Sequence, residues 1–161
     1  MMPQKEFEHI AELMPMPCVN AIIKNEWSES LLLKRKNPPM KGEWWVVGGI
    51  IRKGESIEEA LKRKIEEETA FKNYRITRLI GVYSSVYKER HCIEINIAVD
   101  VSGRPVPQLN WEHSDYRWTM VARELTRPDW LHPFLAEWLL TPHPAVSLGH
   151  FYQKQGEAQT T

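Results

Sequence analysis

Residues 48–71 read GGIIRKGESIEEALKRKIEEETAF. A glycine pair ends the apolar run Trp44-Trp45-Val46-Val47, Gly54 supplies a turn, and a helix crowded with charge follows. Ser56 stands where an N-cap belongs, and Glu58 and Glu59 fall in the first turn, near the positive end of the helix dipole. Ile57, Ala60, Leu61 and Ile65 recur at helical spacing, so one face of this helix turns to a core. Glu59, Arg63 and Glu67 form one i,i+4 row, and Lys64 and Glu68 another. Glu66, Glu67 and Glu68 then put consecutive carboxylates at the C-terminal end, where the dipole favours cations. A divalent metal ion is the obvious counterweight.

In its spacing this stretch resembles the Nudix box. Gly49 is followed after five residues by Glu55, after seven more by Arg63, and then by the acidic end with Glu67 and Glu68. Most Nudix boxes have glutamate directly after the arginine, where this chain has Lys64, and glycine before the last apolar residue, where it has Ala70 before Phe71. A solvated, salt-bridged surface helix also carries such charge rows. That reading does not account for the glycine pair and the Gly54 turn at this spacing. The resemblance implies an α/β fold, a Nudix-type α/β/α sandwich with a mixed sheet.

Two more stretches narrow the resemblance. Residues 31–45, LLLKRKNPPMKGEWW, and residues 112–118, EHSDYRW, resemble blocks of the GDP-mannose mannosyl hydrolase branch, which also lacks the glutamate after the box arginine. The resemblance implies a hydrolase dependent on Mg²⁺, or Mn²⁺, that releases sugar and nucleoside diphosphate by attack of water at sugar C1, with inversion. It implies His113 as the general base on that water. Glu68 and the Gly48 carbonyl fall on metal ligands, and Glu112 falls where the branch has a glutamine ligand. Arg35 and Arg63 fall on active-site arginines. The branch's diphosphate-contacting arginine is Ile50 here; Arg52, two residues on, points to the same side if the strand continues. The branch is dimeric, so a homodimer is the expectation.

The residue types fit that chemistry. Mg²⁺ prefers one or two carboxylates plus substrate phosphates. Glu67 and Glu68 differ by about 100° around a helix, so one binds metal while the other takes a second ion or a water. Their plain alternative is an ion pair each, Glu67 with Arg63 and Glu68 with Lys64, and for Glu66 simple solvation. Glu55 and Arg63 are placed to pair and fix the turn to the helix. A neutral imidazole is a natural base near pH 7, which suits His113, although a lone loop histidine is by itself a weak signal. Arg35 presents a planar fork for phosphate oxygens, or is a surface arginine at a strand end. Trp45 and Tyr83 are candidates to stack on a base or sugar, with core packing the commoner role; Trp118 and Trp138 read as core. Two other functions stay open. One is cleavage of a P–O bond in another nucleoside di- or triphosphate. The other, motivated by Ile50, Lys64 and Ala70, is a non-catalytic module that binds a nucleotide sugar.

The chain has 161 residues, enough for one domain with a core, and 21 basic residues balance 21 acidic ones. Zero net charge argues against a nucleic-acid binder working by bulk electrostatics. Attraction of a phosphate ester must then be local. Cys18 and Cys92 lie far apart and form no CxxC pair, so no disulfide framework or zinc site is expected, and the cytoplasm fits. No apolar run approaches the roughly 20 residues that span a bilayer, and Glu6, Glu8 and Glu12 interrupt any signal sequence.

Periodicity predicts a helix over 4–14 and strands over 19–24, 31–35 and 44–47. The proline-containing segment 37–42 must be a loop. A hairpin is expected from 75–87 and 92–101, a loop over 103–110, a strand over 116–121 and a helix over 128–140. His113 then lies in a polar loop before a strand. Residues 1–142 read as a single domain and 143–161 as a loosely held tail.

Overall fold

The sheet grows outward from β1 (Met16–Lys24) in the computed structural model, which describes residues 4–38, 40–87, 90–120 and 147–152. β1 pairs parallel with β6 (Arg90–Asp100) along its whole length, from Met16 opposite Cys92 to Lys24 opposite Asp100. Its other edge is shared. The N-terminal half pairs antiparallel with β4 (Val47–Ile50), and its end turns into β2 (Ser30–Arg35). β2 carries β3 (Trp44–Trp45) and β7 (His113–Thr119), both antiparallel. On the far side β6 forms a long antiparallel hairpin with β5 (Arg75–Tyr87), and β8 (Ser147–Tyr152) lies parallel to β5. The result is one mixed sheet with helices α1 (Gln4–Leu13) and α2 (Ile57–Thr69).

Alternation along β1 sorts its residues between the two faces. Val19, Ala21 and Ile23 join Leu31, Leu33, Val47, Ile97 and Val99 in the main core, which Ala60, Leu61 and Ile65 of α2 complete. Trp118 packs against that core, as expected, and its Nε1 donates to the Pro105 carbonyl at 3.2 Å. Cys18, Asn20 and Ile22 point the other way. There Asn20 donates to Glu94 at 2.7 Å and to Asn96 at 2.9 Å, a buried polar network in the middle of the sheet.

The structure differs from the expected elements at four places. β1 begins at Met16 rather than Val19, because its parallel pairing with β6 starts with Met16 opposite Cys92. The strand expected over 44–47 is interrupted at Val46, because its first half pairs with β2 and its second half crosses to β1. β7 begins at His113 rather than Tyr116, because pairing with β2 extends back to Arg35 through a bulge. Within the expected tail, Ser147–Tyr152 forms β8 on the edge of β5. The helix expected over 128–140, with Trp138, lies outside the described residues. Among the described residues no helix is long and apolar enough to cross a membrane.

Candidate active site at the acidic end of α2

Helix α2 is fixed at both ends. Ser56 caps it with a full capping box: its hydroxyl accepts from the Glu59 N–H, and the Glu59 carboxylate accepts from the Ser56 N–H at 2.7 Å. At the other end Ala70 adopts a left-handed conformation, φ 59°, and its N–H bonds to the Glu66 carbonyl. Upstream, the Arg52 N–H donates to Glu55 at 2.8 Å across the turn in which Gly54 has φ 89°. Arg63 grips Glu55 with two hydrogen bonds, at 2.6 and 2.8 Å, and donates a third to the Ile50 carbonyl at 3.0 Å. Those contacts, the Arg63 hydrogen bond first, hold the Glu55 carboxyl at about 2. Arg63 therefore fastens the turn after β4 to the helix, a positioning role.

The last turn of α2 meets β4 and the start of β7. Glu68 is buried, accepts a hydrogen bond from the Gly48 N–H at 3.3 Å, and lies 2.5 Å from Lys64 Nζ. Lys64 Nζ is also 3.5 Å from Glu67 and 3.7 Å from Glu112. Burial pushes the Glu68 carboxyl up, to about 7, against the opposing pull of Lys64. Burial alone would lower the Lys64 ammonium, but Glu68, Glu112 and Glu67 more than offset it and its pKa is raised. The glycine pair makes this convergence sterically feasible. A Cβ on Gly48 would stand 2.2 Å from the Asn20 side-chain oxygen and 2.6 Å from the Val19 carbonyl. A Cβ on Gly49 would stand 2.9 Å from Lys64 Cε.

Glu67, Glu68 and Glu112 thus gather carboxylate oxygens around a place that already holds positive charge. Carboxylate oxygens are the donors that a hard divalent cation such as Mg²⁺ or Mn²⁺ prefers. Gly48 joins the group through its N–H on Glu68.

His113 completes the site and is buried, not a residue of an exposed loop. The β2–β7 register shifts between Lys34 and Arg35, so that Lys34 faces Asp115 but Arg35 faces His113. Bulges of this kind re-aim side chains. Asn110 fixes the ring. Its side-chain oxygen accepts the Glu112 N–H at 3.0 Å, which identifies it as the oxygen, and lies 3.1 Å from His113 Nδ1. Nδ1 therefore carries the proton, and the Nε2 lone pair faces Glu68 at 3.9 Å. Burial, then the charges of Arg35 and Lys64, lower the His113 imidazole to about 4, so it is neutral at pH 7. Arg35 is half-buried beside Glu68 and Glu112, and its Nε is buried with no hydrogen-bond partner among the described residues.

Three expected binding residues fare differently. Arg52 is not on a strand, because β4 ends at Ile50 and the turn to Glu55 begins. It is exposed, yet its guanidinium reaches Glu67 at 3.4 Å. Trp45 is half-buried opposite Leu33. Tyr83 is 1% exposed, opposite Glu94 in the β5–β6 hairpin, and packing is the role its position gives. Two features were not foreseen. Asn110 carries no motif; its place three residues before His113 was the only available hint. Cys18 and Cys92, far apart in sequence and with no disulfide framework or zinc site expected, have donor atoms within 4.8 Å of each other and of Glu94, because parallel pairing of β1 with β6 brings them together.

Comparison with known proteins agrees with this architecture. A sequence model of the NUDIX domain matches residues 14–140. The chain is 41% identical over 93 residues to an ADP-ribose pyrophosphatase of Methanocaldococcus jannaschii, covering 56% of this chain and 54% of that protein. It is 34% identical over 85 residues to the low-salt glycan biosynthesis protein Agl8 of Haloferax volcanii, covering 53% of each. The chain thus spans about half the length of these curated relatives. Among solved structures, the MutT protein of Methanosarcina mazei superposes with a TM-score of 0.69 at 26% identity, over 78% of this chain and 91% of that one. The NUDIX domain of Shewanella oneidensis NrtR, solved with ADP ribose, gives 0.61 at 23% identity, over 85% and 96%. With the matched region covering most of the chain and the box residues assembled around one acidic helix end, this chain belongs to the NUDIX domain family.

Proposed function

We propose that this chain is a divalent-metal-dependent Nudix hydrolase of nucleoside diphosphates linked to a sugar, and that water activated by His113 attacks sugar C1. The observation that carries the reading is the His113 imidazole, neutral, tautomerically fixed by Asn110, with its Nε2 lone pair toward Glu68. A water hydrogen-bonded to Nε2 gives up a proton there as its oxygen bonds to C1. The bond from C1 to the diphosphate oxygen breaks, and the nucleoside diphosphate leaves with the electron pair. General-base help of this kind contributes about 10²- to 10⁴-fold. The Arg35 guanidinium, whose buried Nε has no hydrogen-bond partner among the described residues, is the donor we assign to a diphosphate oxygen. A divalent ion held by Glu68, Glu112 and Glu67 would supply the charge that neutralises the diphosphate and makes it a better leaving group. Exposed Arg52, paired with Glu67, is the phosphate contact we assign in place of Ile50, and half-buried Trp45 the residue we assign to stack on a base or sugar.

The names of the relatives favour a second reading, in which the same site cleaves a P–O bond. One relative is an ADP-ribose pyrophosphatase and another a putative 8-oxo-dGTP diphosphatase of Bacillus subtilis. ADP-ribose also carries a sugar on a nucleoside diphosphate, but through the C5 oxygen rather than C1, so it serves only P–O cleavage and its turnover separates the two readings. A panel of nucleotide sugars, ADP-ribose and nucleoside triphosphates with Mg²⁺, scored for free sugar, sugar phosphate and released phosphate or pyrophosphate, tests both. Free sugar and nucleoside diphosphate from a nucleotide sugar, abolished by EDTA, is the expected result. Sugar phosphate and nucleoside monophosphate would establish the second reading. No turnover on any member would point to a binding module.

A further inference from the structure

The acidic platform of this chain carries its own cation. Lys64 stands where the resembling box most often has a carboxylate, and its side chain folds across Gly49 into the cluster rather than out to solvent. Its ammonium is within 4 Å of Glu67, Glu68 and Glu112, the three carboxylates assigned above to a metal. It is buried, so water screens these contacts far less than at a surface helix. A group in that place does two things. It holds the carboxylates together when no metal is present, and it opposes entry of a second positive charge.

We propose that Lys64 is a resident cation of the platform that sets its metal stoichiometry and affinity, limiting the chain to one weakly held divalent ion. The proposal rests on reading this helix end as a metal platform. Replacing Lys64 by methionine keeps the unbranched apolar stem and removes the charge, while Lys64→Glu adds a ligand.

Mn²⁺ titration followed by electron paramagnetic resonance, with the metal-free and Mn²⁺-loaded melting temperatures of each variant, provides a readout independent of turnover. The wild type should bind one ion. Lys64→Met should bind Mn²⁺ about tenfold more tightly or better, and Lys64→Glu should bind two ions. In EDTA both variants should melt below the wild type, and Mn²⁺ should raise their melting temperatures by more. If Lys64→Glu is insoluble, Lys64→Gln takes its place beside Lys64→Met, with the same expected gain in affinity. Equal affinity, equal stoichiometry and equal metal stabilisation across wild type and variants would overturn the proposal. If the wild type shows metal-dependent turnover alongside that equality, the proposed hydrolase survives and only the role of Lys64 falls. If the wild type turns nothing over while Lys64→Met gains affinity, the role of Lys64 stands and the hydrolase reading falls.

Discussion

His113 shows how much of a site depends on one neighbour. The imidazole is an effective base only in the tautomer that leaves Nε2 bare, and the side-chain oxygen of Asn110 selects that tautomer. Removing the ring and removing its holder should therefore have different consequences. His113→Ala should lower kcat by about 10²- to 10⁴-fold with KM little changed. Asn110→Ala should give a smaller loss in kcat, and Asn110→Asp, which keeps an acceptor, should recover part of it. Steady-state kinetics on the substrate found by the panel checks this; equal losses in Asn110→Ala and Asn110→Asp would contradict a tautomer-setting role. Glu67 and Glu68 were readable from the spacing of the box, whereas Arg35, Gly48, Glu112 and His113 were named only through the resemblance; the structure sets these residues near one another. Asn110 was reached by neither route, because an asparagine before a strand reads as ordinary loop chemistry.

At the scale of the element, α2 is an amphipathic helix whose charged end is electrostatically adverse. No basic residue occupies its last turn, and Glu66, Glu67 and Glu68 face the negative end of the dipole. Lys64 from within the helix, Arg63 from the preceding turn and Lys72 beyond the cap, paired with Glu66, offset this locally. The C-cap keeps a separate strain. Ala70 sits at φ 59°, where a side chain costs energy that glycine avoids. Ala70→Gly should stabilise the protein by about 0.5–1 kcal/mol, measured by urea unfolding; a destabilisation would mean that the alanine methyl contributes packing that outweighs the backbone term. The helix, its N-cap and the buried Ala60, Leu61 and Ile65 were readable in advance, since they depend on local periodicity and capping chemistry; Ile57, expected on the same stripe, is exposed in the first turn. The break in the strand before the helix was not readable, since changing partner from β2 to β1 at Val46 is a long-range event with no local signature.

For the whole molecule, the mixed sheet followed from the box and the order of the elements, but the parallel register of β1 with β6 did not. That register creates two features with no sequence pattern, the partly buried Cys18–Cys92–Glu94 group and the buried Asn20–Glu94–Asn96 network. Glu94 is buried, and burial raises its carboxyl to about 7, the Asn20 hydrogen bond only partly opposing. Its folded pKa lies above its unfolded one, so between about 4.5 and 7 the folded chain holds a proton the unfolded chain has released, and stability falls as pH rises. Glu94→Gln removes that penalty while keeping an acceptor for Asn20. It should stabilise the protein at pH 8 by an amount on the order of 2–3 kcal/mol and change little at pH 4. Denaturation at the two pH values checks it, and an equal effect at both would contradict the account.

The central claim concerns which bond the assembled site breaks, and the fate of the oxygen from water decides it. Hydrolysis of a nucleotide sugar in ¹⁸O-water, with products weighed by mass spectrometry, should place the label in the released sugar and leave the nucleoside diphosphate unlabelled. Label in a phosphate-bearing product would contradict attack at sugar C1.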